Sequence, residues 1–84
     1  MRCICYFAYM NVKQIVGDNI RFLREKRGWT QEDLGILTKM SKTFLGDVER
    51  GQKSITVVNL ERVAKALKVP LSLLVTQNGY KLNE

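Results

Sequence analysis

The chain has no histidine, a single proline and only two cysteines among its 84 residues. Without histidine there is no imidazole base and no nitrogen ligand for a metal, which removes the histidine-dependent triads and mixed zinc sets. Cys3 and Cys5 fall short of a four-ligand zinc site unless a second chain supplies the rest. A disulfide across one intervening residue of an extended segment is geometrically poor, so the pair reads as reduced thiols in a cytoplasmic protein. Gly-rich phosphate loops are also missing, and Ser and Asp form no catalytic constellation; the chain is not expected to be an enzyme or to hold a cofactor. Long apolar runs are absent: Met1 to Met10, MRCICYFAYM, is too short to cross a bilayer and leads straight into a helical pattern. Acidic residues are scarce, 8 against 14 Lys and Arg, for a net charge of +6. That balance favours a polyanionic partner, and the cations are spread along the chain rather than gathered in a tail.

What is present suits one small helical domain with one core, since hydrophobic residues make up 45% of the chain. Val12 to Arg27 reads as a first helix, with Val12, Val16, Ile20 and Leu23 on one face and Ile15 and Phe22 on a second strip. Gly28 ends it. Thr30 is an N-cap with Asp33 three residues on, as in a capping box, and Trp29 and Leu34 form a hydrophobic staple over a second helix, Gln31 to Thr38. Ser41 caps a third helix, Lys42 to Arg50, which Gly51 stops. Leu34, Leu37, Met40, Leu45 and Val48 are expected to face one core. Two capped short helices joined by a tight turn are the makings of a helix-turn-helix. Thr56 caps a fourth helix, Val57 to Leu67, whose core face is Val57, Leu60, Val63, Ala64 and Leu67. Pro70 opens a short fifth helix, with Leu71, Leu74 and Val75 as its apolar content. Asn78-Gly79 signals a turn. The β-forming residues of Ile4 to Tyr9 and the tail Tyr80-Lys81-Leu82 allow the termini to pair as a small sheet. The alternative is an N-terminal helical turn with a C-terminal tail. The organisation expected is an apolar extension over 1–11, a helix-turn-helix domain over 12–76 with its motif at about 31–50, and a tail over 77–84.

The order and spacing of Ile20-Arg21-Phe22-Leu23-Arg24, Gly28 to Gly35, Ser41 to Leu45, Val48-Glu49-Arg50-Gly51 and Leu60 to Leu67 resemble the Cro/repressor-type helix-turn-helix (XRE) family of DNA-binding regulators. Within it, the Lys-Thr-Phe-Leu and Val-Glu-Arg pieces look most like restriction–modification controller proteins. The resemblance implies an all-α, five-helix lambda-repressor-like domain. It implies a small residue at Gly35, where the third helix crosses close by. It also implies glycine, often with positive φ, at the turn position held here by Lys39. The family usually leaves the position of Phe22 exposed; here the N-terminal extension is available to cover it.

A helix docked in the major groove reads base edges with its first turns; here these are Ser41, Lys42, Thr43, Gly46 and Asp47. Lys42 can donate to guanine, Thr43 can meet a thymine methyl or a phosphate, Gly46 permits close approach, and Asp47 can accept from cytosine. Against each stands the plainer reading of a solvated helix face. Gln31 matches the family's phosphate-binding residue at the start of helix two, and Lys53 and Ser54 match backbone-contacting loop positions. Lys39, Phe44 and Arg50 complete the phosphate-side set, with Phe44 lacking the hydroxyl that a Tyr would offer. Arg24 and Glu49 match a partly buried ion pair that fixes the recognition helix rather than touching DNA. Leu71, Leu74 and Val75 are the expected dimer residues.

These features predict a homodimeric, sequence-specific transcriptional regulator on double-stranded DNA with a roughly palindromic operator, its occupancy set by protein concentration. The rival is an antitoxin-type or other protein-binding module of the same fold, with the N-terminal segment as its partner-binding element. A membrane-surface anchor through that segment ranks last, because Arg2 is its only charge.

Overall fold

Four side-chain caps decide where the helices begin. Asn11, Thr30, Ser41 and Thr56 each accept a hydrogen bond from the backbone N–H three residues on, at 2.9 to 3.2 Å. Thr30 and Asp33 close the box reciprocally, with Asp33 Oδ2 accepting from Thr30 N–H at 2.9 Å. The computed structural model describes residues 11–83. The helices are α1 (Val12–Lys26), α2 (Gln31–Thr38), α3 (Lys42–Glu49), α4 (Val57–Leu67) and α5 (Leu71–Leu74), followed by a 3-10 turn over Gly79–Asn83.

Ile20 and Leu23 of α1, Leu34 of α2, Leu45 and Val48 of α3, Val63 and Leu67 of α4 and Leu74 of α5 form the centre of the core, all essentially sealed from solvent. Three apolar residues expected to point inward do not. Leu37 is 55% exposed, Val12 58% and Val57 69%. In the two turns of α2 the inward stripe goes to Leu34 and Thr38, whose hydroxyl donates to the Leu34 carbonyl at 2.7 Å, and Leu37 falls to the side. Val12 and Val57 sit in the first turns of their helices, beyond the packed layer.

The C-terminal end departs from the sheet reading. Residues 80–82 lie in the 3-10 turn, and no strand occurs among the described residues; Ile4 to Tyr9 lie outside them. Two contacts hold this turn in place. Asn19, fully buried on α1, donates through Nδ2 to the Leu74 and Thr76 carbonyls at 2.9 and 2.8 Å and accepts from the Tyr80 N–H at 3.0 Å. The Tyr80 ring stacks on Phe22 with centroids 4.3 Å apart, which shields one face of a ring that stays 40% exposed.

The angle of α3 is set by two close approaches to α1. At Gly17 an added Cβ would stand 2.5 Å from the Val48 carbonyl oxygen and 2.6 Å from that of Glu49. About two turns of α1 further on, Arg24 reaches Glu49 in a bidentate pair, Nε to Oε2 at 2.7 Å and Nη2 to Oε1 at 3.0 Å. The third guanidinium nitrogen donates to the Trp29 carbonyl at 2.7 Å, so one side chain fixes α1, the entry to α2 and the end of α3. The Glu49 hydrogen bond raises the Arg24 pKa against the opposing effect of burial. A raised folded-state value means this contribution is present below the ordinary arginine pKa and is lost only in strong alkali.

Close packing at Gly17 leaves no room for a methyl group without moving helix backbone. Gly17→Ala should cost about 2 kcal/mol or more, read as a lower urea midpoint at unchanged slope. Arg24→Ala should cost about 3–5 kcal/mol because it strands a buried carboxylate. Arg24→Met with Glu49→Leu should lose less than the sum of the single changes, as a double-mutant cycle in urea will measure.

Candidate nucleic-acid interface

The helix-turn-helix spans α2 and α3, joined by Lys39, Met40 and Ser41. Lys39 adopts φ 61° and ψ 36°, the left-handed region in which a side chain costs about 1–2 kcal/mol. This is the turn position where the family favours glycine, and the geometry is kept although the residue is not. Gly35 lies beneath the same turn: an added Cβ would sit 2.6 Å from the Met40 carbonyl oxygen, with the Leu45 side chain behind it at 3.6 Å. The tightest approach at Gly35 thus comes from the turn carbonyl, with a side chain of the crossing α3 behind it.

The first turn of α3 presents Lys42 and Thr43 to solvent without any ion-pair or side-chain hydrogen-bond partner among the described residues. Ser41 is exposed too, but its Oγ is occupied as acceptor of the Phe44 N–H at 3.0 Å, leaving the hydroxyl proton for outside use. Phe44 is half buried against the core. Asp47 is largely covered and draws two cations to itself: Arg50 pairs with Oδ1, and Lys53 Nζ stands 3.8 Å from Oδ2. Its charge is therefore partly neutralised where α3 would face phosphates. Ser54 is exposed beside Lys53.

Gly46, expected to permit close approach to a base, offers little exposed surface. It is buried in the α2–α3 crossing, where an added Cβ would stand 3.3 Å from Gln31 Oε1 and 3.4 Å from Arg50 Nη1, so other side chains stand between it and any base. Gln31 is half buried and donates through Nε2 to Glu49 Oε1 at 3.0 Å. Arg24, Glu49 and Gln31 thus form one chain of hydrogen bonds that locks α2 to α3.

The structure adds one residue that spacing did not single out. Arg21 opens on a polar cleft shared with Gln14, Gln31, Arg50 and Gln52. Its partner Asp18 is only within 3.9 Å and both are well exposed, so the guanidinium is held loosely. The only signal in the sequence was a basic residue on the outer side of α1. Leu74, expected at a dimer interface, is fully buried in the protomer's own core, while Leu71 is half buried and Val75 is 45% exposed. Among the described residues no group of metal-ligating side chains gathers, and no helix is long and apolar enough to cross a membrane.

This arrangement has known counterparts. The HTH_3 helix-turn-helix family matches residues 20–74. The control protein C.SmaI of Serratia marcescens is 33% identical over 74 residues, which are 88% of each chain. Among solved structures, the hypothetical transcription factor NHTF from Neisseria superposes with a TM-score of 0.79 at 29% identity, over 87% of this chain and 84% of that one. The restriction-modification controller protein C.AhdI from Aeromonas hydrophila gives 0.71 at 34% identity, over 74% of this chain and 94% of that one. The chain belongs to the HTH_3 family of Cro/repressor-type helix-turn-helix regulators, DNA-binding proteins of transcription rather than enzymes.

Proposed function

We propose that the protein is a cytoplasmic, sequence-specific regulator that binds a roughly palindromic operator as a homodimer, with one α3 in each of two successive major grooves about 34 Å apart. The observation that carries this reading is the pair Lys42 and Thr43, exposed and unpartnered on the first turn of a helix whose orientation is locked from behind. Lys42 is the donor to a guanine edge, Thr43 a contact to a thymine methyl or a phosphate, and Ser41 a hydroxyl donor at the same end. Lys39, Arg50, Lys53 and Ser54 supply backbone contacts, and Arg21 extends that set across the cleft. Gln31 contributes through the amide N–H groups that open α2, since its side chain is engaged with Glu49. The likeness to control proteins supports a small regulator acting without further chemistry.

For the dimer, Val75 shares an apolar groove with Val12, Val57, Ile55 and Leu60. Val12, Val57 and Val75 are all large and exposed, and a second copy would bury them. Leu71 lies at the margin of the same short helix, and Leu74 contributes only by holding that helix down.

Selection from a randomised duplex library should enrich a palindrome. Its Kd should rise about a hundredfold or more between about 50 and 200 mM salt. Lys42→Ala should cost about 1–3 kcal/mol on that site and relax the preference at one position; a flat salt response with no enrichment would overturn the reading. Sedimentation equilibrium should find a dimer that Val57→Asp with Val75→Asp converts to a folded monomer, with operator affinity falling at the same time.

A further inference from the structure

A second surface of the molecule lies away from α3. The C-terminal half of α4 and the flank of α2 enclose a groove lined by Trp29, Leu37, Ala66, Arg62, Lys65 and Lys68. It shares no residue with the face proposed to meet DNA. Its floor is apolar: Leu37 is 55% exposed, while Trp29 and Ala66 are half buried against the core. Its rim carries three exposed cations, none with a carboxylate within ion-pair distance among the described residues. Arg27 is anchored to the Leu23 and Leu67 carbonyls and stands over the Trp29 ring, 6.0 Å from its centroid, which holds the indole at the groove rather than letting it turn away.

We propose that this groove docks an acidic segment of a partner protein, one carrying an apolar side chain between its carboxylates. The cations demand negative charge. The apolar floor separates a protein from a nucleic acid, because a phosphate backbone has nothing to set against Leu37 and Ala66, whereas an aliphatic or aromatic anchor flanked by Asp or Glu matches floor and rim together. The groove is open while α3 engages DNA, so a bound regulator can hold its partner beside the operator.

Trp29 is the chain's single tryptophan, and its emission reports on the groove. The full-length protein is titrated with a tryptophan-free peptide of glutamates carrying leucines at helical spacing. A saturable change in Trp29 emission is expected. Arg62→Glu with Lys65→Glu should weaken binding about tenfold or more, and Leu37→Ser about threefold, with circular dichroism unchanged. Lys13→Glu with Lys81→Glu makes the same change in net charge elsewhere and should leave the affinity within about twofold. Equal weakening by both double variants would assign binding to overall charge and overturn the proposal. So would the absence of a saturable change, undiminished binding of a peptide with serine in place of leucine, or displacement of the peptide by a random-sequence duplex whose own binding requires Arg62 and Lys65.

Discussion

The bidentate pair of Arg24 and Glu49 is the contact on which the rest of the arrangement depends. A buried ion pair contributes little net stability when the cost of removing both charges from water is counted. Its value here is geometric. A planar guanidinium with all three nitrogens engaged admits one orientation, and from α1 it reaches partners at the entry to α2 and at the end of α3. Gln31 adds a further donor to the same carboxylate. An apolar core of leucines and valines tolerates small rotations of one helix against another; this hydrogen-bonded set does not. A regulator that reads base edges from the first turn of α3 needs that restriction, because an error in helix angle is multiplied at the tips of Lys42 and Thr43.

Much of the fold was legible because its signals are local. Four helix starts were marked by Thr or Ser side chains or by Pro70, and a capping residue acts within three positions of itself; the Asn11 cap of α1 went unread. The buried stripe of α1 was equally plain from its spacing, apart from its first valine. What could not be read depends on residues far apart in the chain. Asn19 looks like an ordinary polar helix residue; only the fold brings it under the Leu74 and Thr76 carbonyls and the Tyr80 N–H. That contact also explains why the tail forms a 3-10 turn although Tyr80 and Leu82 suit a strand. A strand needs a partner along its whole length, while Asn19 and Phe22 offer partners at one point. Gly17 is a similar case: nothing nearby in sequence requires a glycine, and the need appears only where the Val48 and Glu49 carbonyls arrive.

The site was legible to a lesser degree, and the errors share a cause. Gly46 was placed on the reading face because it lies within the first turns of α3, but its angular position turns it into the crossing with Gln31. Leu74 was placed at a dimer surface because α5 is apolar and terminal, yet a single turn of helix has one inward position and Leu74 fills it. Leu37 was assigned to the core by hydrophobicity alone. In elements of four to eight residues the helical period is sampled too few times to fix the phase, so residue type outweighs position in the reading and misleads where a small or polar residue, such as Thr38 or Gly46, holds the buried place.

The electrostatics of the recognition end follow from the same economy of positions. Asp47 places a carboxylate on the helix proposed to enter the groove, which taken alone would oppose binding. Arg50 and Lys53 gather on it, so in the proposed complex the loop after α3 would meet the DNA backbone as a cluster with one net positive charge rather than as two free cations. Holding these side chains in place before binding lowers the ordering cost on association. It also makes the loop sensitive to Asp47: remove that carboxylate and the local charge becomes more positive, which raises affinity for any duplex by adding counterion release, while the cations lose the contact that aims them. Affinity for DNA in general and discrimination among sequences then move in opposite directions. On the proposed reading discrimination matters more than bare affinity, because a regulator competes against a whole genome of non-specific sites.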